Sequence, residues 1–184
     1  MTPVSTLWRR IDTPGHDACR LVEDKDGWQL SGTAVFRQED AAVCLGYVVA
    51  GDRSWGTQRG EVSGWIGEKP VDFTVIRNAG GGWTLNGARV PGLDELVDLD
   101  FGFTPATNLP QIRRVKLAVG QGAEVPVAWL DVLAGTLSVL PQRYERRTET
   151  TYDYRSPTAP YAGLLELGPA GFISRYQELW GAEL

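Results

Sequence analysis

The punctuation of this chain constrains its fold more than any other feature. Short runs of β-branched and aromatic residues recur along almost the whole length, each bounded by Gly, Asp, Asn or Pro. That pattern belongs to strands joined by tight turns. Residues 19–22 read as a strand, Asp24-Lys25-Asp26-Gly27 as a turn, and residues 28–36 as the returning strand. Asn86-Gly87 separates two further short strands, and both residues tolerate the positive φ of a type I′ turn. The nearly continuous apolar run 42–50 predicts a strand buried on both faces. Helical periodicity is almost absent; Leu93, Leu96 and Val97 mark residues 93–99 as the best helical turn. After a polar loop at 104–110, strands are expected at 112–119, 125–133, 135–144, 147–154, 161–167 and 172–176.

About a dozen strands exceed what a flat open sheet holds without curling or closing. An antiparallel sheet rolled into a spiral or barrel-like body hides its edges and buries one face, so the fold class expected is all-β with little helix. A roll of this size suggests an apolar internal cavity. At 184 residues and 42% hydrophobic, the chain suits one domain spanning 1–184. No internal repeat points to a propeller or solenoid.

Charge excludes one class of partner. Eighteen Lys+Arg against 23 Asp+Glu leave a net charge of −5, and no basic block stands apart from it, which disfavours nucleic acid. Arg113-Arg114 and the arginines of 143–147 read as local features. The first thirty residues lack the apolar core of a signal peptide, and no run approaches a membrane span, so a cytoplasmic location is expected. Cys19 and Cys44 have no CxxC spacing and read as two buried thiols in a reducing compartment.

Familiar catalytic patterns are missing. His16 is the single histidine and lies in a turn-like stretch beside Asp17, a poor place to hold a general base. One His and two distant Cys do not make a zinc site, and GxSxG, GxxxxGK[ST] and GxGxxG are absent, so no metal or cofactor is called for. Asp94, Glu95, Asp98 and Asp100 form an acidic set whose readings are a surface turn, a hydrogen-bonded structural pair, or paired carboxylates for chemistry. Within the stretch 98–117, a loop with two prolines runs into Arg113-Arg114. In an extended strand these point to opposite faces, so one faces inward and requires Asp98, Asp100 or a ligand's polar head. Seven tryptophans, Trp83 among them, and tyrosines including Tyr144 and Tyr154 supply flat amphipathic surfaces of the kind that hold acyl chains and sugar faces.

Several segments together resemble a bacterial family named for glycolipid binding, formerly a domain of unknown function. They are Trp8-Arg9-Arg10, Cys19-Arg20-Leu21, Tyr47 with Asp52 and Trp55, and Gly82-Trp83 before Asn86-Gly87. The strongest run is Asp98-Leu99-Asp100, Thr104-Pro105, Thr107-Asn108-Leu109-Pro110 and Ile112-Arg113-Arg114. Gln142-Arg143-Tyr144, Tyr152-Asp153-Tyr154, Tyr176 and Trp180 complete it. The resemblance covers nearly the whole chain. It implies a spiral or barrel-like antiparallel roll and a lipid or glycolipid ligand. Two departures stand out: Asp17-Ala18 replaces an acid-His pair, and Pro110 is displaced relative to the arginines. The candidate ligand-binding set is Trp83, Asp98, Asp100, Asn108, Arg113, Arg114, Gln142, Tyr144 and Tyr154. The alternatives are an enzyme acting on a sugar or lipid ester through Asp98, Asp100 and Arg114, and a protein-interaction module.

Overall fold

The computed structural model describes residues 2–157 and 161–183. Its first half is a succession of antiparallel hairpins: β1 (Val4–Arg10), β2 (Gly15–Glu23), β3 (Gly27–Gln38), β4 (Ala41–Asp52), β5 (Thr57–Ile66), β6 (Lys69–Arg77), β7 (Trp83–Leu85) and β8 (Ala88–Val90). The expected turn chemistry is in place. Asp24 Oδ1 accepts from the amides of Asp26 and Gly27, and Asn86 and Gly87 adopt φ of 49° and 81°.

The second half is less regular. β9 (Leu99–Phe101) leads to a helix, α1 (Asn108–Val115). There follow β10 (Gly122–Glu124), β11 (Val127–Asp131), β12 (Thr136–Leu140), β13 (Arg143–Arg146), β14 (Thr151–Ser156), β15 (Tyr161–Leu167), β16 (Ile173–Tyr176) and β17 (Trp180–Ala182). Pairing of β17 with β1 joins the halves into one 14-stranded antiparallel sheet, in the order β10-β13-β14-β15-β16-β17-β1-β2-β3-β4-β5-β6-β7-β8. The rolled all-β body is therefore present, but it is open, with β8 and β10 as its edges. A second sheet, β12-β11-β9, was not expected; its β9–β11 pair is parallel.

The small sheet packs against the face of β3, β4, β5 and β6. Leu99, Phe101 and Leu130 join Leu30, Leu45, Val49, Val62 and Val75 in the larger core. A second core gathers Ile112, Leu117, Val125, Tyr144, Tyr152, Tyr154, Leu165 and Ile173. Helix α1 lies between them, with Leu109 in the first and Ile112 in the second.

Four local expectations are corrected. Residues 112–115 are the end of α1, and no strand covers 112–119. The helix is hard to read in the sequence because it is only eight residues long and buries polar Asn108 and Gln111 together with Leu109, Pro110 and Ile112. Residues 93–98 form a turn and an irregular stretch leading into β9, with the amide of Leu96 donating to the carbonyl of Leu93, and no helix. β4 buries one face alone: Val43, Leu45, Tyr47 and Val49 point inward, whereas Cys44, Gly46, Val48 and Ala50 are half-exposed. Small apolar residues on its outer face made the run look doubly buried. The stretch 135–144 divides at Pro141 into β12 and β13, which lie in different sheets.

Candidate functional site

Helix α1 brings most of the anticipated polar residues together. Thr107, at its N-cap, makes no capping bond; its hydroxyl donates to Asp100 Oδ1 and accepts from the amide of Phe101 at 3.3 Å. Gln142 Nε2 donates to the other Asp100 oxygen at 2.9 Å. At the next residue, Asn108 Nδ2 donates to the Tyr144 hydroxyl, which itself donates to Gln111 Oε1, both at 2.7 Å. Tyr144 packs on Tyr154 with ring centroids 5.0 Å apart, and Tyr154 in turn meets Tyr161 and Tyr176. This is a buried hydrogen-bonded lattice that fastens the first turns of α1 to β9 and β13.

The two arginines diverge, as expected, although through helical rather than strand geometry. Arg114 turns to Asp98, with Nε 3.0 Å from both carboxylate oxygens and Nη2 2.5 Å from Oδ2. Burial pushes the carboxyls of Asp98 and Asp100 above their ordinary range. Arg114 opposes the rise at Asp98, whereas Asp100 has hydroxyl, amide and backbone donors to oppose it. Trp83 is enclosed in the larger core; its Nε1 donates to the carbonyl of Leu96 at 3.2 Å, close before Asp98.

Arg113 faces the other way, toward solvent. Nη1 donates to Glu23 at 2.6 Å, Nη2 donates to the carbonyl of Ala170 at 2.6 Å, and the guanidinium lies 4.4 Å from the ring centroid of Trp55. Trp55 stacks on Trp28 at 5.4 Å with an interplanar angle of 13°. Its backbone has φ 68°, a conformation that a bulky side chain rarely adopts, held by Asp52, whose Oδ1 accepts from the amides of Ser54 and Gly56. Trp55, Arg113 and Glu23 form one wall of an open groove of about 400 Å³, whose remaining wall includes Lys116, Arg146, Tyr152 and Leu167.

A second buried cluster escaped the sequence reading. Tyr47 donates to Asp17 at 3.0 Å, and the Thr104 hydroxyl donates to the same carboxylate. Burial pushes the Asp17 carboxyl up to about 6. Gly32 makes the contact possible, because a Cβ there would collide with the Tyr47 ring. The cleft between the two sheets, lined by Phe36, Val43, Ile66, Phe103 and Leu130, measures about 160 Å³. Both cysteines are free thiols, Cys19 buried and Cys44 half-exposed. Among the described residues, no cluster of His, Cys, Asp and Glu is arranged to hold a metal ion, and no helix is long and apolar enough to cross a membrane.

Sequence reasoning did not find the groove itself. Glu23 and Lys116 have no local signature, since they meet only when the end of β2 reaches α1. Trp55 and Tyr152 stood among the segments that carry the family resemblance, with nothing to say that they would face each other across a groove.

Fold and site define a rolled antiparallel-sheet protein that carries a cationic, aromatic-walled groove on a helix clamped between its two cores. The chain belongs to the family described as "Putative glycolipid-binding", whose model matches residues 5–182. The crystal structure of a DUF1089 family protein from Pseudomonas aeruginosa has the same fold, with a TM-score of 0.77 over 98% of this chain and 92% of that one at 20% identity. No curated protein matches the chain.

Proposed function

We propose that this protein binds the saccharide head of a glycolipid in the groove between α1, the Trp55 turn and β14. The observation that carries the reading is the fixed position of Arg113: two of its nitrogens are committed to Glu23 and Ala170, its face lies on Trp55, and Nε has no acceptor among the described residues. A guanidinium immobilised before the ligand arrives loses little side-chain entropy on binding and presents a directional donor to a hydroxyl or oxyanion. Ile112, Tyr152 and Leu167 give the groove an apolar floor beside it, a combination suited to the polar and apolar faces of a sugar ring.

In this reading Arg113 touches the ligand, and the other anticipated residues act behind it. Asp98, Arg114, Asp100, Gln142, Asn108 and Tyr144 fix the pose of α1. Tyr154 backs Tyr144, and Trp83 holds the segment that leads into Asp98. Neither Asp98 nor Asp100 lines the groove, so the geometry supports recognition better than hydrolysis by a carboxylate pair.

A ligand bound only by the folded state raises its melting temperature by mass action. Micelle-dispersed mono- and diglycosyl diacylglycerols should raise the melting temperature of the wild type, and Arg113→Ala and Trp55→Ala should suppress the rise. If no glycolipid in such a panel shifts the wild-type transition, the reading fails.

A further inference from the structure

The charge of the groove is opposite to that of the chain. Overall the protein carries −5, yet the groove is lined by Arg113, Lys116 and Arg146 against one carboxylate, Glu23. Glu23 is paired with Arg113 at 2.6 Å. The guanidinium of Arg146 is not neutralised by any carboxylate among the described residues: Nε donates to the carbonyl of Thr148, Nη1 to that of Leu117 and Nη2 to that of Glu149. Those bonds hold it as a fixed positive charge, 5.7 Å from the Tyr152 ring centroid. Lys116 is exposed at the C-cap of α1 with φ 47°, and its ammonium forms no ion pair among the described residues. Two uncompensated cations, Lys116 and Arg146, thus line one groove together with Arg113, whose Nε has no acceptor among the described residues.

We infer that the groove selects an anionic saccharide: a hexose ring bearing a carboxylate or phosphate, whose oxyanion sits between Lys116 and Arg113 Nε while the ring lies against Tyr152 and Leu167. This rests on the reading that the groove binds a glycolipid head, and it adds the charge of that head. Neutral sugar recognition would not need the uncompensated pair, because hydroxyls are satisfied by the mixed donors and acceptors of Arg113 and Glu23 alone. An oxyanion gains charge-assisted hydrogen bonds from Lys116 and Arg113, in a groove that Arg146 keeps net positive.

The deciding measurement is titration calorimetry with micelles of glucuronosyl diacylglycerol and of glucosyl diacylglycerol carrying the same acyl chains, alongside free glucuronate. The acidic glycolipid should bind on the order of tenfold tighter than the neutral one at low salt, and the advantage should shrink as salt rises. Lys116→Asn, a residue type that tolerates left-handed φ, should bring the affinity for the acidic lipid down to that for the neutral one, and Lys116→Arg should keep the preference. Free glucuronate matching the acidic lipid would identify the sugar acid itself as the ligand, still in accord with the inference. Equal affinity for the two lipids would overturn the inference and leave head-group binding intact. Binding of neither lipid nor glucuronate would remove both.

Discussion

Asp17 is a carboxyl group in the core held by two hydroxyls and by no cation among the described residues. Burial outweighs those hydrogen bonds and lifts it from the ordinary 3.8 to about 6. A rise of that size corresponds to ~3 kcal/mol between the protonated and ionised forms. Because the folded value is the higher one, the contribution favours folding fully below about pH 4 and is lost as pH rises through about 6. The wild type should therefore lose stability between pH 4 and 7 relative to Asp17→Asn, in which this titration is absent. Calorimetric melting of both proteins across that range checks it, and parallel pH profiles would refute the assignment. The sequence pointed only to the neighbourhood of Asp17, through His16 beside it. Its partners Tyr47 and Thr104 are 30 and 87 residues away, and only the register of β2, β3 and β4, with Gly32 opening a path, brings them into contact.

Helix α1 shows how local patterns mislead when tertiary surroundings decide. The stretch Ile112-Arg113-Arg114-Val115-Lys116-Leu117 reads as the start of a strand. In the folded chain Pro110 occupies the first turn, where its missing N–H is one the helix does not use. The residues that anchor the helix were nonetheless legible as a group, since Asp98, Asp100, Asn108, Arg114, Gln142 and Tyr144 all enter its supporting lattice. Their roles were not, for hydrogen-bond partners depend on a helix the pattern concealed. The Tyr144 hydroxyl is the hub: Asn108 donates to it, and it reaches Gln111 and Gln142. Tyr144→Phe would leave several of these buried groups unsatisfied, at ~1–3 kcal/mol each. A loss of about 3 kcal/mol in urea unfolding is expected, together with weaker glycolipid binding as Arg113 loses its fixed position. A stability change below about 1 kcal/mol would show that α1 is held by its apolar contacts alone.

At the scale of the whole molecule, the hairpin half of the fold was readable because each strand pairs with its sequence neighbour and each turn carries its own chemistry. The small sheet was not, because its parallel β9–β11 pair joins residues 99–101 to residues 128–130 through a connection that no local signal marks. What lets this sheet sit inside the large one is an absence of side chain. Gly60 on β5 faces Leu99, and a Cβ at that position would overlap the Leu99 side chain and crowd the Phe101 ring. Both residues are fully buried, so neither can move aside without disturbing the core between the sheets. Overfilling such a contact costs typically ~1–3 kcal/mol. Gly60→Ala should thus lower stability by about 2 kcal/mol, and Gly60→Ala combined with Leu99→Val should recover part of the loss by clearing the overlap. The double variant tests the geometry specifically: if it is less stable than either single variant, the close approach of the two sheets at Gly60 is not what the substitution disturbs.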